Sequence, residues 1–118
     1  MSAGSRSIPA LPWGWRSMWV IAMFDLPTDT PKARKAYARF RKGLLDDGFT
    51  MMQYSVYTRH CASIENAETH ANRMGGQVPE AGEVRFLTIT DRQFSRIRVY
   101  AGKKRVNVPP PPAQLELF

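Results

Sequence analysis

The chain has 118 residues, 43% of them hydrophobic, which fits one domain with a modest core and excludes wholesale disorder. Seventeen Lys and Arg stand against ten Asp and Glu, a formal charge of +7, which favours polyanionic partners such as nucleic acid or an anionic membrane surface. The single cysteine, Cys61, excludes an intrachain disulfide and suits a reducing compartment, and no apolar run approaches the roughly 20 residues of a membrane span, so the expected location is cytoplasmic.

Residues 1–17 hold Pro9, Pro12 and Gly14 and read as a flexible N-terminal extension. Met18 to Phe24 is apolar throughout and predicts a strand covered on both faces. It runs into Asp25-Leu26-Pro27. Asp is a poor strand former, and an ionised carboxylate is costly to bury unpaired. Asp25 is therefore expected at the strand exit, where Pro27 stops further ladder pairing. Two readings of it stand open: a turn residue bonding nearby backbone N–H groups, or a rim carboxylate for a hard metal ion or a proton relay.

Thr30 as N-cap and Pro31 at the first helical position open a helix with Ala33, Ala36, Tyr37, Phe40 and Leu44 on one stripe. Lys35, Arg39 and Lys42 fall on the opposite face. Gly48 is expected as a left-handed cap. Asp46 and Asp47 lie at the unfavourable end of the helix dipole, so they should be solvated or paired with a partner's basic groups. Residues 49–59 are rich in β formers but long for one strand, and a bend near Gln53-Tyr54-Ser55 would split them.

Ser63 is a plausible N-cap for a second helix with Ile64, Ala67, Ala71 and Met74 at helical spacing, stopped by Gly75-Gly76. Glu83 to Thr90 alternates as a strand. Thr90-Asp91-Arg92-Gln93 resembles a capping box and predicts a short helix over 91–100, followed by a basic loop at Lys103-Lys104-Arg105. Pro109 to Pro112 predicts a stiff spacer, and Leu115 to Phe118 a final short strand.

The order β-α-β(β)-α-β predicts an α+β, ferredoxin-like βαββαβ sandwich over 18–105, with an extra short helix. Residues 106–118 are expected as a Pro-rich linker and C-terminal strand. One sheet face would be bare in a monomer, exposing Met, Tyr and Val of the middle segment, which argues for a homodimer joined through its sheets.

The inventory of reactive groups is thin. His60 and His70 read as surface histidines, too few with one cysteine for a zinc site, and Cys61 as a small filler. Neither a Gly-rich phosphate loop nor a nucleophile turn is found. Asp25 remains as the catalytic and metal-ligand candidate. One carboxylate holds Mg²⁺ weakly, and the same residue from a two-fold mate would pair the site. The nucleic-acid candidates are Lys35, Arg39 and Lys42 on the first helix, with Arg92, Arg96, Arg98, Lys103, Lys104 and Arg105.

Four segments in this order resemble the CRISPR-associated protein 2 family, in a version like that of type II systems: Met23-Phe24-Asp25-Leu26-Pro27; Arg34-Lys35-Ala36-Tyr37 with Phe40-Arg41-Lys42 after it; Gly48-Phe49-Thr50-Met51 leading to Gln53-Tyr54-Ser55-Val56-Tyr57; and Thr90-Asp91-Arg92-Gln93-Phe94. The resemblance implies a ferredoxin-like homodimer whose terminal strands complete the neighbouring sheet. It implies a complex with the CRISPR integrase, CRISPR-associated protein 1, in which the dimer helps hold incoming DNA. It also implies metal-dependent endonuclease activity on RNA or DNA, with Mg²⁺ or Mn²⁺ as cofactor and Asp25 as the matching metal residue. The expected role is a nucleic-acid-binding adaptor in spacer acquisition. The alternatives are a Mg²⁺-dependent endonuclease acting through Asp25 and a toxin-like ribonuclease on the same fold.

Overall fold

Residues 17–106 are described by the computed structural model. The N-terminal extension before Ser17, the Pro109–Pro112 spacer and the Leu115–Phe118 strand lie outside the described residues. In chain order the elements are β1 (Met18–Asp25), α1 (Pro31–Asp46), β2 (Thr50–Gln53), β3 (Val56–Cys61), α2 (Ile64–Gly75), β4 (Glu83–Thr90), α3 (Asp91–Phe94), β5 (Val99–Ala101) and β6 (Lys104–Val106). The first four strands form one antiparallel sheet in the order β2-β3-β1-β4, with β5 and β6 a separate two-stranded ribbon. This is the ferredoxin-like α+β arrangement.

Strand β1 lies between β3 and β4, which explains its continuous apolar run. Met18, Val20, Ala22 and Phe24 point to one face and form the core with Phe40 and Leu44 of α1 and Ala67 and Met74 of α2. The Phe24 ring meets Phe40 edge-on at 5.3 Å. Both helix starts are capped as their sequences require: Thr30 accepts from the Ala33 N–H and Ser63 from the Asn66 N–H, each at 3.0 Å. Gly48 has φ +94° after α1, where a Cβ would be strained.

The segment 49–59 does split. Tyr54 and Ser55 form the turn between β2 and β3, and Ser55 holds φ +62°, an uncommon state for a non-glycine residue. The turn breaks the alternation expected of one strand, so Met51, Met52 and Tyr54 are exposed while Tyr57 is buried in the core and Val56 half-buried.

The predicted helix over 91–100 is corrected. The capping box is present, with Thr90 Oγ1 accepting from the Gln93 N–H and Gln93 Oε1 from the Thr90 N–H, but α3 ends at Phe94. Val99, Tyr100 and Val106 are β formers around Gly102, and Gly102 takes φ +66° at the first place of a two-residue hairpin loop. The expected basic loop 103–105 is thus one loop residue and two residues of β6. Phe94 lies flat on Trp19 at 3.9 Å, and Trp19 Nε1 donates to Asp91 Oδ1 at 2.6 Å. Trp19 alternates with Phe24's set, so α3 covers part of the sheet face opposite α1 and α2.

Candidate nucleic-acid interface and its carboxylate

Asp25 is the last residue of β1, exposed, and in register opposite Glu83, the first residue of β4. It belongs to the Trp19 face, not the helix face. Its carboxylate makes no hydrogen bond or ion pair with the described residues, so it is not spent on a local turn. Glu83, by contrast, accepts from Arg85 Nη1 at 2.8 Å. Two acidic side chains directly across an antiparallel pair repel, and the arginine offsets part of that. Gly82 makes the close approach possible: a Cβ there would lie 2.7 Å from the Asp25 carbonyl oxygen and from Leu26 Cδ2, at φ +96°. Among the described residues no three His, Cys, Asp or Glu side chains group as metal ligands.

The Asp25 end of the sheet also gathers aromatic groups. The Phe24 N–H donates to the Ser55 carbonyl at 3.1 Å, which ties the Tyr54-Ser55 turn beside the strand exit. From α1, Tyr37 places its hydroxyl 3.3 Å from Ser55 Oγ, packs edge-on against Phe24 and stacks with Tyr54 at 6.4 Å and 24°. Tyr54 is 77% exposed. The neighbouring Tyr37 phenol raises the pKa of the Tyr54 phenol.

The structure divides the nucleic-acid candidates between two faces. Lys35, Arg39 and Lys42 are exposed along α1. Lys32, Lys35 and Arg39 border a shallow depression on that helix. Lys42 pairs with Asp46 at 2.8 Å, and that hydrogen bond raises its pKa. Arg92 and Arg96 accompany α3 on the opposite face, with Arg98, Lys103 and Arg105 on and before the β5–β6 ribbon, all exposed. Lys104 is in β6. Apart from Lys42, and leaving the Lys104 side chain aside, none of these candidates has a carboxylate partner among the described residues.

Two histidine expectations and one aspartate expectation change. His70 is no surface residue: it is 7% exposed, and its Nδ1 lies 2.7 Å from Asp47 Oδ2. Asp47 finds its cations within the chain, with Arg73 Nη1 donating to Oδ1 at 2.6 Å and Arg59 Nε to its carbonyl at 2.7 Å. Burial alone would raise the Asp47 carboxyl, but the bonds and charges of His70 and Arg73 outweigh it and hold the pKa below the ordinary range. His60 is half-buried, edge-on to Trp19 at 5.1 Å, and burial pushes its pKa down. Cys61 is a buried filler as expected, its thiol pushed up by burial.

Two features of the site have no direct signature in the local sequence. The Asp25–Glu83 opposition depends on strand register, which neither local sequence contains. The Tyr37–Tyr54 pair joins a helix to a turn, and its one local signal was the suspected bend at residues 53–55.

Comparison with known proteins agrees with this architecture. The family model described as CRISPR associated protein Cas2 matches residues 18–97. A protein of Parvibaculum lavamentivorans named CRISPR-associated endoribonuclease Cas2 is 78% identical over 101 residues, covering 86% of this chain and all of that one. A protein of the same name from Flavobacterium psychrophilum is 51% identical over 104 residues, covering 88% of this chain and 90% of that one. The crystal structure of Streptococcus pyogenes Cas2 superposes with a TM-score of 0.53 at 22% identity, covering 70% of this chain and 99% of that one. On the matched model and these relatives, the chain belongs to the CRISPR-associated protein Cas2 family.

Proposed function

We propose that the chain is a homodimeric nucleic-acid-binding adaptor in CRISPR spacer acquisition, working with the integrase, CRISPR-associated protein 1. The observation that carries this reading is the set of exposed cations along α1 and around α3 and the ribbon that, Lys42 apart, have no carboxylate partner among the described residues. Such side chains bind phosphate by charge, with little regard to base sequence. Two basic faces on one small domain suit a bridge between nucleic acid and a second surface. Exposed Leu87, opposite Ile21 on the sheet face away from α1 and α2, supports burial against a second copy. Binding to a labelled DNA duplex should weaken steeply with added salt. Affinity unchanged between low and moderate ionic strength would remove this reading.

The Asp25 carboxylate, unpaired among the described residues, supports a second activity, metal-dependent cleavage of RNA or DNA. A hard divalent cation such as Mg²⁺ or Mn²⁺ fits a carboxylate on an open rim, with phosphate oxygens and waters as further ligands. Asp25 would hold the ion in one protomer, and the Asp25 of a two-fold mate would supply the second carboxylate. When bound, such an ion neutralises phosphate charge and acidifies a water. The protein's own part is positional: Phe24 and Leu26 are buried on either side of Asp25, so the carboxylate stands on a fixed backbone. Asp25→Ala should abolish cation-dependent cleavage while leaving duplex binding and oligomeric state intact. Cleavage by that variant at the parental rate would overturn the assignment.

A further inference from the structure

We infer that Tyr54, braced by Tyr37, is a stacking subsite for an unpaired nucleobase of a strand lying against the Asp25 end of the sheet. The inference rests on the nucleic-acid reading above and adds a substrate class to it. An exposed tyrosine at a turn is ordinarily free to rotate. Here the Tyr37 ring lies alongside, 6.4 Å away and inclined by 24°, with its own ring leaning on Phe24 and its hydroxyl meeting Ser55. Ser55 is itself pinned, its carbonyl accepting from the Phe24 N–H and its backbone kept at φ +62°. Tyr54 is open to solvent over most of its surface, so a base can stack on a ring whose neighbours on the turn are already fixed.

The surroundings carry the matching charge. Arg34 and Arg41 are three residues before and four after Tyr37, on the same side of α1, and both are exposed. Arg34 donates to the Thr28 carbonyl at 3.1 Å, a neutral group that leaves its charge uncompensated. Neither arginine pairs with a carboxylate among the described residues. An aromatic platform between cations is the arrangement that binds single strands, because every base has a π-face and every nucleotide a phosphate. A base inside a duplex is stacked on its neighbours and cannot use it.

The test measures binding of full-length chain to a 2-aminopurine-labelled single strand, made as RNA and as DNA, and to the corresponding duplexes. The parent should quench the single-stranded probes. Tyr54→Ala should lose the quench and about tenfold in single-strand affinity, with duplex affinity unchanged. Tyr54→Phe should retain both quench and affinity, because stacking needs the ring and not the hydroxyl. A quench with RNA alone, or DNA alone, supports the subsite and names its strand. Unchanged single-strand binding by Tyr54→Ala, or equal losses on single strand and duplex, would overturn the inference. So would a shift of Tyr54→Ala to monomer in light scattering, which would assign the ring to contact with a second copy. A parent that binds the duplex without quenching any single strand overturns the subsite alone, whereas a parent that binds no probe overturns the nucleic-acid reading beneath it.

Discussion

Asp47 follows α1, where the helix dipole disfavours a carboxylate, yet it sits in a pocket of cations at 9% side-chain exposure. Arg73 and His70 come from α2, so the residue joins the C-terminal end of one helix to the face of the next. Asp47→Asn keeps the shape and removes the charge. It should cost about 2 kcal/mol at neutral pH, as expected for hydrogen bonds to a charged group, read as a lower urea midpoint. Because the folded carboxyl has a lowered pKa, its stabilisation is fully present above the unfolded value of about 3.9. It is lost as pH falls through the folded value. Parent and Asp47→Asn should therefore converge in acid; a constant difference down to about pH 2 would contradict the ion-pair account. Sequence patterns could not supply this network, since residues 47 and 70 are brought together only by helix packing.

At the scale of elements, Gly82 governs how closely the start of β4 approaches the end of β1. Gly82→Ala would place a methyl against the Asp25 carbonyl in a left-handed backbone. A cost of at least about 1 kcal/mol is expected, with amide shifts in Asp25 and Leu26 measured by NMR. Unchanged stability and unmoved amides would show that the loop opens freely. Much of the element map was legible because caps and punctuators are local: Thr30-Pro31 starts α1, Ser63 starts α2, Thr90 and Gln93 close a capping box. The misread region lies just after that box. Ile97 and Ala101 continue a helical spacing, but both are exposed, and no core rewards the helix. The Gly102 turn and the β-branched residues beside it decide the ribbon instead. The strand exit at Asp25 is legible for the same reason as the caps: an acidic residue ending an apolar run is a local signal.

Across the whole molecule, the basic residues that form two clusters in sequence remain two surfaces in space. One lies along α1 and the other beside α3, with the sheet between these two helices, and the ribbon carries further cations. Each phosphate contact contributes about −0.9 to the slope of log affinity against log salt on duplex DNA. Reversing Lys35 and Arg39 together should shrink that slope by about 2, while reversing Arg92 and Arg96 reports the opposite face separately. Unaltered slopes in both pairs would mean that these charges are simply solvated. The central claim is that the basic faces, rather than the Asp25 carboxylate, carry the biological role. Spacer acquisition in cells carrying the parent, Asp25→Ala, or Lys35→Glu with Arg39→Glu tests it most directly. The account predicts parental acquisition with Asp25→Ala and a marked fall with the double charge reversal. Loss of acquisition in Asp25→Ala, with its DNA binding and dimer intact, would contradict it.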